Sequence, residues 1–402
     1  MILYINYKFY TLIRVGDTVS INKEYLRILN VMRKAEEGDK IVIGAIGGSI
    51  TAGARAGKPG NRYVNLVKDW WVKKFPNADI ELVNAGIGAT NSGYACYRVK
   101  EHLLKRNPDF VLIDFAVNEY DMSNCSETME GLVRQILSYK SKPAIMQIFM
   151  MKRRMDNAQE YFIPVCNHYH IPWVSFQDRV REMIQSGKLT IDDVIADEVH
   201  PNDEGHALAA SIIIEKLEDI YMSLPEFMKT SESLNNTGEV KPGHTTNNIQ
   251  EDLPAPLISD TFQFTSYYNY DNIQPKCIGN WKKGTYECTA GLGLGTGWCT
   301  DKSGDELVFE LPACSTVSIT YKRYQDNSYG IAEAWIDDGP RVRMDAAYYG
   351  VPWPGPYAHF KIIQKGLEKK SHTLHIKVLS EKYSEIAAFP GNYFEVINIL
   401  VS

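Results

Sequence analysis

Between residues 40 and 222, short apolar runs alternate with stretches of helical periodicity. The runs are KIVIGAI, DIELVN near residue 80, DFVLIDFA near 110, PAIMQIFM near 145 and IPWVSF near 172. Each has the length and β-branched character of a buried strand. In one of the intervening stretches, YVNLVKDWWVKKF, Val67, Trp70, Trp71 and Phe75 recur at helical spacing and charged residues take the opposite face, which assigns both tryptophans to a core. Parallel neighbours require crossover connections, so five strands separated by helices predict an α/β domain with a parallel sheet covered on both faces.

The pattern changes at residue 223. LPEFMKTSESLNNTGEVKPGHTTNNIQEDLPAP is rich in Asn, Thr, Glu, Gly and Pro and reads as a linker over 223–256. From 257 to 402, LVFELP, STVSITYKR, IAEAWID, HTLHIKVLS and YFEVINILVS show β-branched and aromatic alternation broken by turns. This predicts an all-β sandwich of jelly-roll type. Residues 1–38 combine a β-like stretch with the helical NKEYLRILNVMRKAEEG, an extension that either domain could receive. The chain therefore divides into the extension at 1–38, a flavodoxin-like three-layer α/β domain at 39–222, the linker, and the β-domain.

A chain of 402 residues, 44% hydrophobic, is long enough for two cores. Its net charge of −6 argues against a nucleic-acid or anionic-membrane surface and favours neutral substrates. The N-terminal stretch MILYINYKFYTLIRVGDTVS carries Lys and Arg within its apolar positions and resembles neither a secretion signal nor a membrane span, which places the chain in the cytoplasm. Seven cysteines without a CxxC pair give neither a disulfide framework nor a zinc signature. Cys277, Cys288 and Cys299 recur every eleven residues and read as small buried side chains.

Ligands of an open parallel sheet gather at the carboxyl ends of its strands. The first strand ends in GGSIT with Ser49, the second in NAGIGAT from Asn84 to Thr90, the third in AVNE with Asn118, and the fifth strand and its helix lead to DEVHP with Asp197 and His200. A serine hydroxyl is a poor nucleophile at neutral pH and needs a base for its proton and donors for the oxyanion. His200 suits the base, and Asp197, three residues earlier, is near enough to orient the imidazole. The oxyanion donors available are the Ser49 amide, a glycine amide of NAGIGAT and the Asn118 side chain.

In this order and on these loops, GGSIT, NAGIG, VN and DEVHP resemble the four blocks of the SGNH (GDSL) hydrolases over about residues 38 to 222. The resemblance implies Ser49 as nucleophile, Asp197 and His200 as its triad partners, and Asn118 as an oxyanion donor. Block two in relatives commonly reads N-x-G-x-x-G, whereas Asn84-Ala85-Gly86-Ile87-Gly88 is one residue shorter. Gly88 is taken as the second donor, with Gly86 the alternative. Glu119 stands after Asn118 where aspartate is usual, a change expected to affect support rather than chemistry. GGSIT, GIGAT and the trailing β-domain are most similar to two-domain carbohydrate acetyl esterases, including mannan and xylan deacetylases. The implied activity is removal of O-acetyl groups from such oligosaccharides through an acyl-enzyme, without metal or organic cofactor and without nucleic-acid or membrane partners. A lipid or thioester hydrolase on the same scaffold and a carbohydrate-binding protein with an inactive hydrolase domain are the rival readings.

Several other residues invite chemistry. Asn202-Asp203 suits the start of the helix DEGHALAASIIIEKLEDIY, so Asp203 is read as a cap, and His206 within that helix as packing or surface. His168-Tyr-His170 has no third ligand at a supporting distance. GLGLGTG at 291–297 lies among β-type sequence with no helix to receive a phosphate, and reads as a turn. YYGVPWPGPYAHF at 348–360 offers Tyr349, Trp353 and Tyr357 on a stiff loop, as a sugar-stacking platform or equally as an aromatic domain interface.

Overall fold

A computed structural model describes residues 13–15, 18–236, 253–284, 294–326, 328–347, 355–380 and 391–402. Strands β1 (Ile13–Val15) and β2 (Thr18–Ser20) pair antiparallel. Helix α1 (Leu26–Glu36) then buries Ile28, Leu29, Met32 and Ala35 in the core of the α/β domain, which settles where this part of the extension docks.

The five expected strands form: β3 (Lys40–Gly47), β4 (Asp79–Gly86), β5 (Phe110–Asp114), β6 (Ala144–Phe149) and β7 (Trp173–Ser175). All pair parallel in the order β4-β3-β5-β6-β7, the flavodoxin-like arrangement. Helix α2 (Ser49–Ala52) is one short turn, and α3 (Tyr63–Lys74), α4 (Ser92–His102), α5 (Cys125–Leu137), α6 (Gln159–His168), α7 (Phe176–Gln185) and α8 (Asp203–Tyr221) supply the layers. On one face, side chains of α1, α3, α7 and α8 such as Met32, Trp71, Val180 and Leu217 form one core. Trp71 is fully buried there, and Trp70 packs at its edge while its indole N–H donates to Glu218.

The other face is covered by α4, α5 and α6, and its core runs on into the β-domain: Val99, Met129 and Phe162 share one cluster with Phe262, Phe360, Ile397 and Leu400. The segment expected to be a linker differs from that reading. It begins with helix α9 (Leu224–Asn236), whose Leu224 and Phe227 are buried, because these two apolar residues face the same core as α1. Its described end, 253–256, lies against α5, where Arg134 donates to the Pro254 carbonyl at 2.8 Å, and just beyond it the buried Glu130 carboxylate of the same helix accepts the backbone N–H groups of Leu257, Ile258 and Ser259.

The β-domain contains β8 (Ser266–Tyr268), β9 (Lys282–Lys283), β10 (Trp298–Thr300), β11 (Glu306–Arg323), β12 (Ile331–Ile336), β13 (Val342–Asp345), β14 (Tyr357–Val378) and β15 (Phe394–Val401). These form a single antiparallel sheet in the order β13-β12-β14-β11-β15-β10-β9, with β8 on β15. LVFELP and STVSITYKR are not two strands but one. The shared strand β11 shifts register against β14 between Leu311 and Thr316, and such irregularities let a long strand bend around its own core. Trp298, Phe309, Ile319, Leu374 and Phe394 fill that core.

Candidate active site

Three strands of the parallel sheet end level with one another: Gly47 of β3 is paired with Gly86 of β4 on one side and Asp114 of β5 on the other. Their following loops therefore meet. Two residues past Gly47, Ser49 opens α2 and is nearly buried, 9% exposed. The turn is tight because a Cβ on Gly48 would lie 2.3 Å from Asn118 Oδ1; glycine there lets the Asn118 amide close against the serine turn.

His200 arrives from the loop before α8. That loop is clamped by the bridge between Ile195 and Pro201 and by the Ala196 N–H bond to the His200 carbonyl, 2.8 Å. Within it, Asp197 Oδ1 accepts the amides of Val199 and His200, each at 2.9 Å, and this local turn holds the carboxylate beside its own histidine. His200 Nδ1 lies 3.0 Å from both Asp197 oxygens, and His200 Nε2 lies 2.8 Å from Ser49 Oγ. A carboxylate only accepts, so the arrangement requires the proton on Nδ1 and an Nε2 lone pair facing the serine hydroxyl. Partial burial works against ionisation of Asp197, but the Val199 and His200 amides, the His200 ring and Arg55 together hold its pKa well below the ordinary carboxylate range. Arg55, exposed at the start of the segment RAGKPGNRY at 55–63, donates from Nε to Asp197 Oδ2 at 2.8 Å.

The two block-two glycines do different work. The Gly86 amide donates to Asn84 Oδ1 at 2.9 Å, and a Cβ on Gly86 would stand 2.3 Å from the Ala52 nitrogen, so this residue is where β4 presses against the serine helix. Gly88 sits half-buried in the turn from Ile87 to Thr90, which is closed by the Thr90 hydroxyl on the Ile87 carbonyl. Asn118, also half-buried, ends a turn in which its amide donates to Phe115 O.

Buried polar side chains support these loops; such a role was expected of Glu119, whereas Arg98 and Asp114 gave no signal in the sequence. Arg98 of α4, fully buried, donates to Ala85 O at 2.6 Å and to Gly47 O at 2.9 Å, tying the ends of β4 and β3 together. An arginine in a helix ordinarily reads as solvated, and only its i+4 position relative to Tyr94 on a buried face hints otherwise. Asp114 Oδ2 accepts from Thr51 Oγ1 at 3.1 Å, and Thr51 bonds Tyr63 in turn. Burial pushes the Asp114 carboxyl up to about 7 against the Thr51 bond. Glu119 accepts the Ser92 N–H at the start of α4, 2.9 Å, and burial raises it to about 7 as well. A cleft of about 400 Å³ opens at the seam with the β-domain, lined by Asn91, Glu119, Tyr120, Asp121, Phe360 and Lys361 among others.

The remaining sequence candidates fall elsewhere. Asn202 caps α8 by accepting the Gly205 amide, whereas Asp203, expected as the cap, accepts the Gly57 amide and so secures the RAGKPG loop. His206 is buried, stacked with Tyr63 and bonded to Ala54 O; desolvation lowers its pKa. His168 contacts Ala255 O, and among the described residues no group of three or more His, Cys, Asp or Glu converges on a metal-sized site. Cys299 is buried but Cys277 is exposed, contrary to expectation, since it pairs at the sheet margin through a single bridge to Val308; Cys288 lies outside the described residues. Tyr349 and Trp353 also lie outside them, as do residues 291–293 of GLGLGTG. Tyr357 is half-buried at the start of β14 with its ring edge-on to His359. Among the described residues no helix is long and apolar enough to cross a membrane.

The model of the GDSL-like lipase/acylhydrolase family matches residues 45–208, which span Ser49, Asn118, Asp197 and His200. Two crystal structures of a two-domain esterase (CEX) active on acetylated mannans, one co-crystallised with mannopentaose, are similar over both domains at 29% identity. The first covers 94% of each chain with a TM-score of 0.78; the second covers 94% of this chain and 95% of the other with 0.79. No curated protein sequence matches the chain. With four family blocks brought to one end of a five-stranded parallel sheet, residues 45–208 form a domain of the GDSL-like (SGNH) lipase/acylhydrolase family.

Proposed function

We propose that the chain is a serine esterase that removes O-acetyl groups from mannan-derived oligosaccharides. The observation that carries the reading is the Ser49–His200–Asp197 line within a chain similar, over both of its domains, to an esterase active on acetylated mannans. Ser49 Oγ attacks the acetyl carbonyl while His200 Nε2 takes its proton; Asp197, kept ionised by its two amide donors, stabilises the imidazolium. The oxyanion is received by the Ser49 amide, the Gly88 amide and the Asn118 side chain. Gly88 is preferred to Gly86 because the Gly86 amide is already bonded to Asn84. His200 then protonates the departing sugar oxygen as its bond to the acetyl carbon breaks, releasing the sugar hydroxyl and leaving acetyl-Ser49. Water, deprotonated by the same histidine, attacks this ester and releases acetate and the free serine. No step calls for a metal or an organic cofactor. The sugar chain is assigned to the cleft at the domain seam, which begins one residue beyond Asn118.

The test is acetate release from acetylated manno-, xylo- and cello-oligosaccharides, beside Ser49→Ala. Release from the manno-series alone, abolished in the variant, is the expected result. Turnover surviving in Ser49→Ala would remove the serine mechanism. Silence on all three sugars with p-nitrophenyl esters still cleaved would keep the serine and discard the substrate, and preference for long acyl chains would favour a lipid or thioester hydrolase.

A further inference from the structure

The loops that carry the oxyanion donors are held from outside by the β-domain. Tyr120, two residues past Asn118, receives the Phe360 N–H of β14 on its hydroxyl at 3.0 Å, and its ring stacks on His359 with centroids 4.6 Å apart at 21°. His359 is buried and flanked in turn by Tyr321 and Tyr357, so the Tyr120 ring, 45% exposed on its outer side, rests on a partner seated in an aromatic socket. The neighbouring Phe360 ring lies on the first turns of α4: a Cβ on Gly93 would stand 2.4 Å from its Cε1, and the Tyr97 ring is 6.1 Å away. Helix α4 starts directly after the Gly88 turn and is tied to the Asn118 loop through the Ser92 N–H bond to Glu119. One dipeptide of β14 thus touches the supports of both donor loops.

We propose that His359-Phe360 of the β-domain is a positioning element for the oxyanion hole, acting through Tyr120 on Asn118 and through α4 on Gly88. The β-domain is on this account part of the catalytic machinery's frame, not only a carbohydrate-binding module. The inference rests on the esterase reading above. Its logic is that a donor displaced by about 1 Å loses roughly 10²-fold in rate, while ground-state binding of a small ester is little affected.

The experiment uses the full-length protein and p-nitrophenyl acetate, which has no sugar to engage the seam. Phe360→Ala removes the ring from α4; Tyr120→Phe removes one hydroxyl and keeps the stack. Expected is a kcat about 10- to 100-fold lower in Phe360→Ala and several-fold lower in Tyr120→Phe, with KM within about twofold of wild type, the pattern of an interaction made only in the transition state. Thermal unfolding is measured beside each variant. If Phe360→Ala does not fold, Tyr120→Phe decides: wild-type kcat in a folded Tyr120→Phe overturns the proposal, as does a change confined to KM. Ser49→Ala separates the two failures, because activity surviving there sinks the esterase reading itself, whereas loss there with undiminished Tyr120→Phe sinks only the positioning role.

Discussion

Asp114 offers the most direct test of the electrostatics beneath the nucleophile. Its backbone carbonyl accepts the Gly48 amide at 3.3 Å, its Oδ2 accepts from Thr51, and its Oδ1 is buried without a hydrogen-bond partner. Burial raises the carboxyl from 3.8 to about 7. At about 1.4 kcal/mol per pH unit, that corresponds to a penalty of about 4 kcal/mol on the ionised form in the folded chain. The sign follows from proton counting. Between pH 4 and 7 the folded protein keeps a proton that the unfolded chain has released, so this group's contribution is most favourable below the unfolded pKa and is lost as pH rises through the folded one. About 2–3 kcal/mol of the loss accrues between pH 5 and 8. Asp114→Asn has nearly the same shape and cannot ionise. Urea unfolding of the α/β domain, followed for wild type and variant from pH 5 to pH 8, isolates the term, since Glu119 and Asp197 titrate equally in both. The variant starts with a fixed offset from its altered hydrogen bonding and gains about 2–3 kcal/mol on wild type by pH 8. A difference that stays flat with pH, within about 0.5 kcal/mol, would refute the argument that Asp114 is held protonated.

Other substitutions probe the rest of the site. Asp197→Asn keeps an acceptor for the Val199 and His200 amides but offers His200 the wrong partner, so kcat on an acetyl ester falls by about 10⁴, and loss of the charge that the amides and Arg55 stabilise lowers the unfolding temperature at pH 7 as well. Asn118→Ala lowers kcat by roughly 10²- to 10³-fold at unchanged KM, measured on the same ester. Gly86→Ala drives a methyl into the Ala52 backbone, 2.3 Å away, and lowers both the unfolding temperature and activity, whereas a packing-neutral role would leave unfolding unchanged. Arg98→Met strips the Gly47 and Ala85 carbonyls of their buried donor and costs about 2–4 kcal/mol in urea unfolding, with activity lost in parallel.

How much of this was legible beforehand differs by distance along the chain. The parallel strands announce themselves as continuous apolar runs, because both of their faces are buried, and the helices between them through apolar positions recurring every third to fourth residue, because only one face is. Ser49, Asn118, Asp197 and His200 could be picked out because strand ends in such a sheet must converge, and their short motifs carry their own turn chemistry: the Asp197 carboxylate caps the very loop that presents His200. Gly88 was favoured over Gly86 but the alternative stayed open, since what distinguishes the two in space is the Gly86 N–H bond to Asn84 Oδ1 and the approach of Ala52. Arg98, Asp114 and Arg55 gave no signal as site residues, because an isolated charge reads as solvated until separate segments close over it. The same reasoning explains α9, where Leu224 and Phe227 look too sparse to fold until α1 supplies a surface for them.

Sequence by itself therefore determined the strands and helices of the α/β domain, its parallel class, the β-character of the C-terminal region and the residues gathered at the sheet's carboxyl edge. Only the tertiary structure decided that the β-domain shares a core with α4 and α5, that two expected strands are one bent strand, and that Tyr120 and Phe360 meet at the donor loops. The physical reason is that periodicity records whether a face is buried but not which partner buries it. That choice depends on shape and hydrogen-bond complementarity between surfaces more than two hundred residues apart, here 240 positions for the Tyr120–Phe360 contact.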